Sequence, residues 1–291
     1  MKIPKIIHQI WFQGEAAIPP HLLAYHNTWI ELNPDYEILV WDQKKIENLV
    51  NQQESWIKDT YFFYQKMIQK IDFAKYVILY HYGGIYMDMD IKCLQSLNNT
   101  PTINESDIIV SYMHTVLIQK ITLSFYVKKI ITDDFINNGT IMCSPKSEFM
   151  WLTIKEAFNL KDFTKLILPF MHVLATTGPF CFTIAYMKYK TTDNFQKNKM
   201  HILDKSYFEN CDIFMIKNKS CEIPDHAIGI HYYANSWTTP TEKKLVIFYG
   251  FLVKYWYIFF ISILILLYCL FMPKKRSTRS AVYRNAVKAR K

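Results

Sequence analysis

The chain has 291 residues, half of them apolar, with 20 Tyr and 20 Phe, enough for one large core with additions or for two small ones. Its net charge of +9 reads as nucleic-acid affinity only until it is located: from Thr241 onward 11 Lys and Arg meet the single acid Glu242, while before it 23 bases face 24 acids. The globular part is therefore near neutral, and no nucleic-acid partner is expected. None of the six cysteines forms a C-x-x-C pair, which argues against zinc or thioredoxin-type chemistry; Cys211 and Cys221 are a candidate disulfide.

The first residues, Met1 to Trp11, are too short a run for a secretory signal and are interrupted by Pro4 and His8. Ile3 to Phe12 reads as a buried strand opened by Pro4, and Gln13 to Pro20 as a loop. A helix is predicted over His21 to Leu32, stopped by Asn33-Pro34. Tyr36 to Trp41 is a second strand, and Asp42 caps a helix over Gln43 to Val50. Asn51 to Tyr64 reads as helical.

Lys70 to Cys93 is the stretch that organises the rest. Ile71, Ala74, Lys75, Ile78 and Leu79 recur at helical spacing. Gly83-Gly84 ends that pattern, since glycine accepts a left-handed backbone. Ile85, Met87, Met89 and Ile91 then alternate with Tyr86, Asp88, Asp90 and Lys92, which predicts a strand carrying both aspartates on one side of its end. Further on, Asp107 to Tyr112 is a strand, Asn137-Asn138-Gly139 a turn, and Thr140 to Cys143 a short strand. Ser147 to Asn159 reads as a helix. Thr177-Gly178-Pro179 breaks the chain before a helix over Phe180 to Met187. Strand fragments fall within Ile202 to Phe214, and a late strand spans Ala227 to Tyr233, closing at Asn235-Ser236-Trp237. Strand–helix alternation up to residue 112 predicts an α/β sheet with parallel strands.

The chemistry concentrates in a few positions. Asp88 and Asp90, paired at a strand end, suit a hard divalent cation carrying phosphate oxygens. Asp72 and Lys75 share a helix face at i, i+3; they read as a surface ion pair or as partners for a substrate hydroxyl and a phosphate. Trp11 is a core aromatic or a stacking platform for a base. His231 is a core histidine or a further ligand to a cation begun by Asp90. No G-x-S-x-G and no G-x-x-x-x-G-K-[ST] occurs, so serine-hydrolase and P-loop chemistry are set aside.

The end of the chain reads as a membrane span. Leu245 to Met272 carries Lys254 as its only charge. Tyr255 to Met272 is about 27 Å of helix at the standard rise, with Tyr255, Trp256 and Tyr257 as an interfacial belt. The expected organisation is a catalytic domain over 1–240, a transmembrane helix over 245–272 and a basic tail over 273–291. A single-pass protein of an endomembrane such as Golgi or ER is expected, the side of the catalytic domain left open.

I-P-K-I-I-H-Q-I-W-F at the start and I-D-F-A-K-Y-V-I-L-Y-H-Y-G-G-I-Y-M-D-M-D-I after it resemble glycosyltransferase family 32, which includes fungal mannosyltransferases. N-G-T-I-M-C-S-P from Asn138, T-G-P from Thr177 and H-Y-Y-A-N-S-W from His231 extend the resemblance to about residue 240. It implies a GT-A fold and a retaining, metal-dependent transfer of a sugar, with GDP-mannose favoured as donor, onto a lipid or glycan hydroxyl. A UDP-sugar donor, or a sugar-nucleotide-binding protein without turnover, is the alternative. By the same matching, Trp11 would stack on the base. Asp88 would contact the ribose and the metal, and Asp90 would ligate Mn2+ (or Mg2+). Asp72 and Lys75 would hold the donor sugar, with Asn138 beside it and Gly84 counted in the binding stretch. Trp237 would lie over the diphosphate. The chain departs from the family in Lys75, where arginine is usual, and in Thr238, where histidine often follows the Ser-Trp pair; His231 as a metal ligand is therefore a reading of this chain alone.

Overall fold

The structure, a computed structural model, describes residues 3–113, 135–163, 169–211, 215–216, 220–234 and 240–271. The chain divides into two compact units, residues 1–246 and 247–291.

In the first unit the elements run β1 (Ile6–Ile10), α1 (Pro20–Leu32), β2 (Glu37–Trp41), α2 (Gln43–Asn51), α3 (Ser55–Phe63), α4 (Met67–Tyr82), β3 (Gly84–Met87), β4 (Ile91–Cys93) and β5 (Ile108–Tyr112). After them come β6 (Ile136–Cys143), α5 (Glu148–Leu160), α6 (Pro169–Thr176), α7 (Pro179–Tyr189), α8 (Asp193–Lys197), β7 (Met200–Leu203) and β8 (Gly229–His231). Local chemistry explains several boundaries. Pro20 opens α1, where a missing N–H costs nothing. The Lys45 N–H donates to the Asp42 carboxylate at 2.7 Å and caps α2. Gly83 (φ 62) ends α4, and Gly84 (φ 95) starts β3 so close to β1 that a Cβ there would sit 2.6 Å from the Ile6 carbonyl oxygen.

The main sheet has the order β2-β1-β3-β6-β5-β7. β6 runs antiparallel to both its neighbours, and the remaining pairs are parallel. The sheet is mixed rather than all parallel, because β6 enters its centre from the other end. A second, two-stranded antiparallel sheet pairs β4 with β8. Both faces of β3 are buried. Tyr86 packs with Phe73, Val77 and Phe149 on one side, and Ile85 and Met87 join Ile7, Trp29 and Met142 on the other, as expected for an interior strand.

Two expectations change here. Asn137-Asn138-Gly139 is not a turn but lies in the buried first half of β6. The polar side chains that suggest a turn are accommodated by hydrogen bonds: Asn137 Oδ1 accepts the Gly139 N–H, and Asn138 is held by Asp72 and Tyr76. The strand expected over Ile85 to Ile91 is split between two sheets, and Asp88-Met89-Asp90 lies in the tight turn between them, closed by Ile91 N–H to Asp88 carbonyl at 3.1 Å. The two aspartates converge through that turn and not through strand alternation.

The expected membrane span is also corrected. The segment is helical, as α9 (Pro240–Phe271), yet among the described residues no helix is long and apolar enough to cross a membrane. The uncharged run in α9 from Tyr255 to Phe271 is 17 residues, at the lower end of what a span takes. It also begins with three polar-tipped aromatics, Tyr255, Trp256 and Tyr257. The single-pass placement in an endomembrane is not supported. The described large side chains from Tyr257 to Leu267 are exposed apolar or aromatic groups, apart from Ser262.

Candidate active site

The carboxyl end of β3, the turn after it, the first half of β6 and the end of β8 open on one cavity of about 460 Å³. Trp11, Asp72, Lys75, Asp88, Asp90, Asn138 and His231 all line it. These residues come from four separated parts of the chain, and the sheet register brings them together. β1 and β3 run side by side, so Trp11 follows β1 toward the same end as Asp88 follows β3. β4 and β8 pair Ile91 with His231, which sets His231 level with the aspartate turn.

On the α4 side, Lys75 Nζ lies 2.7 Å from Asp72 Oδ1 and 3.9 Å from Asp88 Oδ1. Lys75 is only 2% exposed. It is not a surface ion pair. Asp72 also accepts from Asn138 Nδ2 at 3.2 Å on one oxygen and from Thr177 Oγ1 at 3.2 Å on the other. Asn138 donates in addition to the Tyr76 hydroxyl at 2.8 Å, which in turn donates to the Thr177 carbonyl at 2.7 Å. Buried charge is tolerable when it is paired and hydrogen-bonded, and here Lys75 is paired with Asp72, whose two oxygens together take three donors. Burial raises the Asp72 carboxyl above its ordinary value, against the opposing pull of Lys75, Thr177 and Asn138.

On the turn, Asp88 Oδ1 accepts from the Tyr86 hydroxyl at 2.7 Å, and its N–H donates to the Gly139 carbonyl at 2.9 Å. Gly139 is required by space: a Cβ there would lie 2.7 Å from Asp88 Oδ2. Desolvation lifts the Asp88 carboxyl to about 6; Lys75 opposes the shift and the neighbouring Asp90 adds to it. Asp90 behaves oppositely. Burial pushes it up, but His231 and the Ala234 N–H, which donates to Oδ2 at 2.7 Å, outweigh burial and hold it below the usual range. For His231, burial favours the neutral ring, yet the carboxylates of Glu209 and Asp90 override it and raise its basicity.

His231 Nε2 sits 3.3 Å from Asp90 Oδ1. Asp88, Asp90 and His231 can each present one ligand atom, with all three atoms within 4.8 Å of one another. Two carboxylate oxygens and an imidazole nitrogen, converging on a cavity from one turn and one strand end, fit a divalent cation of the Mn2+ or Mg2+ type.

Trp11 lines the cavity with its Nε1–H tied to the Ala17 carbonyl at 3.0 Å, which fixes the ring plane. Gly84 is not brought to the site. It lies at the opposite end of β3, and its lack of a side chain serves the contact with β1 and His8. Trp237 and Thr238 lie outside the described residues. Sequence reasoning missed Tyr76, Tyr86, Gly139, Thr177 and Glu209. Thr177 stood in a T-G-P break and Tyr86 in the strand alternation, so both were visible as positions, though without a role. Nothing in the sequence pointed to Glu209. Cys211 and Cys221 are bridged, with Cα atoms 5.7 Å apart.

Residues 19–107 match the family described as "Glycosyltransferase sugar-binding region containing DXD motif", and the resemblance to glycosyltransferase family 32 is borne out; Asp88 and Asp90 fall inside the match. An uncharacterized glycosyltransferase of Acanthamoeba polyphaga mimivirus is 29% identical over 248 residues, 85% of this chain and 88% of that protein. Inositol phosphoceramide mannosyltransferase 1 of Schizosaccharomyces pombe is 29% identical over 66% of this chain. The match takes in 53% of that enzyme, so the chain spans about half the length of this fungal relative. Mouse xyloside xylosyltransferase 1 superposes at a TM-score of 0.45 and 11% identity, over 80% of this chain and 99% of that one, an overlap too loose to support more than a passing likeness.

Proposed function

We propose that the protein is a metal-dependent, retaining glycosyltransferase of GT-A type that moves mannose from GDP-mannose onto a lipid or glycan hydroxyl. One observation carries the reading: a cation-binding trio and a buried Asp–Lys pair face the same cavity, beside an aromatic ring held at its rim. The fungal relative named as a mannosyltransferase supports the choice of sugar.

In this reading Asp88, Asp90 and His231 hold the divalent cation. Its chemistry there is to neutralise charge on the leaving diphosphate. Trp11 offers its face to the nucleotide base. Asp72 turns its remaining acceptor capacity to a hydroxyl of the donor sugar, and Lys75 keeps that carboxylate ionised in a desolvated site. Asn138 fixes the Asp72 oxygen from the other side. Asp72 is engaged by Lys75, Asn138 and Thr177, and in this reading Asp90 is taken up by the cation and the Ala234 N–H, so neither is poised as a covalent nucleophile. Retention then follows from attack by the acceptor hydroxyl on the face from which the diphosphate leaves. The new C–O bond forms as the anomeric C–O bond breaks, and a diphosphate oxygen takes the hydroxyl proton.

A donor screen tests this. GDP-mannose and the common UDP-sugars are incubated with the protein, with and without Mn2+, and nucleotide release is measured. GDP release that needs Mn2+ and is lost in Asp90→Ala is expected. Release from UDP-sugars alone would move the donor assignment, and no release from any donor would contradict catalysis.

A further inference from the structure

We propose that Glu209 is the positioning residue that makes His231 a metal ligand, a proposal that rests on the cation-site reading above. Glu209 is 1% exposed and does not line the cavity, so it touches neither cation nor substrate. Its Oε1 accepts from His231 Nδ1 at 2.9 Å, and its Oε2 accepts from the Tyr233 hydroxyl at 2.6 Å. With the Nδ1 proton committed to Glu209, the lone pair available to a cation is on Nε2, the atom that faces Asp90 at 3.3 Å. An imidazole that chose the other tautomer would present an N–H to the site and bind nothing.

The ring is fixed in three ways. The β4–β8 pairing sets its height opposite Ile91. The Tyr233 ring stacks on it, centroids 4.1 Å apart and 23° from parallel. Glu209 then sets its rotation and its tautomer. Glu209 itself is pinned to the same strand: the next residue, Asn210, donates through Nδ2 to the Gly229 carbonyl of β8 at 2.9 Å, and Cys211 follows in the bridge to Cys221. A carboxylate is costly to bury, and a neutral acceptor would satisfy Nδ1 and the tyrosine hydroxyl at lower cost. A negative charge at this point strengthens the basicity of His231 toward a cation, which is what the neutral group cannot do.

The test is Mn2+ binding by the full chain without donor, read from the electron paramagnetic resonance signal of free Mn2+, on wild type, Glu209→Gln, Glu209→Ala, His231→Ala and the double variant Glu209→Gln/His231→Ala, with circular dichroism to confirm folding. Wild type binds one Mn2+. Glu209→Gln is expected to weaken binding about 10-fold and Glu209→Ala about 10–100-fold. Because Glu209 acts through His231, adding Glu209→Gln to His231→Ala should change nothing further. Should Glu209→Ala not fold, the Gln series decides alone. Unchanged affinity in Glu209→Gln, or a second loss of equal size in the double variant, overturns the role of Glu209. Absence of Mn2+ binding by wild type overturns the cation site itself, a different outcome.

Discussion

The two sides of the cavity are built in different ways. On the α4 side, Asp72 and Lys75 are three residues apart on one helix, and every charge is closed into a buried network with Asn138, Tyr76 and Thr177. On the β8 side, Asp90, His231 and Glu209 meet from distant segments through a turn, a strand end and a loop. The first side resembles a core that happens to be charged, so damage to it should reach stability and chemistry together. The second is, in the proposed reading, a set of oriented ligands, so damage to it should reach cation binding first. In the proposed reading the difference separates a sugar-holding side built into the core from a cation-holding side.

The largest stability effect is expected from the first side. Lys75→Met leaves Asp72 and Asp88 without their cation while Asp72 stays buried, a change of the kind that costs about 3–5 kcal/mol. Urea unfolding followed by tryptophan fluorescence would measure it. A loss under about 1 kcal/mol would break the comparison, because Lys75 would then not be the charge that holds the network together.

A buried residue away from the cavity calibrates that scale. His8 donates from Nε2 to the Gly83 carbonyl at 2.9 Å and accepts from Trp41 Nε1–H at 3.1 Å. Burial lowers its pKa from 6.5 to about 4, the Gly83 carbonyl opposing. Between those values the unfolded chain binds a proton that the folded chain refuses. The stabilisation is therefore complete above about pH 6.5 and is lost as pH falls toward 4, by about 3 kcal/mol in all. Unfolding midpoints of wild type and His8→Gln compared from pH 7 to pH 4.5 should show a steeper acid loss in wild type. Parallel curves would contradict it.

A smaller change sharpens the first side. Tyr76→Phe removes the hydroxyl that accepts from Asn138 and donates to the Thr177 carbonyl, leaving both groups short of a partner. A stability loss of about 1–3 kcal/mol is expected, with Mn2+ affinity unchanged. If Mn2+ affinity fell with it, the two sides would not be separable.

The same contrast explains what could be read from the amino-acid sequence. Asp72 with Lys75 and Asp88 with Asp90 were legible because their partners are near neighbours in the chain, where spacing constrains geometry. α4, its stop at Gly83 and the α2 cap at Asp42 were legible for the same reason. Asn137 to Gly139 was misread as a turn because local polarity signals a turn, and only the tertiary partners Asp72 and Tyr76 make a buried strand of it. Gly84 was placed at the site by its position in the motif, although its backbone serves the packing against β1. The span over Leu245 to Met272 was read from apolar composition, while the described helix ends at Phe271. Glu209 could not be found, because its meaning depends on a histidine 22 residues later.

The division of labour is tested most directly by measuring Mn2+ affinity and GDP-mannose turnover side by side in Asp90→Asn and Asp72→Asn. Asp90→Asn should lose Mn2+ binding and with it turnover, by about 10²–10³-fold, the scale of losing one electrostatic contact to developing charge. Asp72→Asn should keep Mn2+ affinity within about 3-fold of wild type and still lose turnover. Equal loss of Mn2+ binding in both variants, or turnover surviving in Asp90→Asn, would contradict the separation of a cation-holding side from a sugar-holding side.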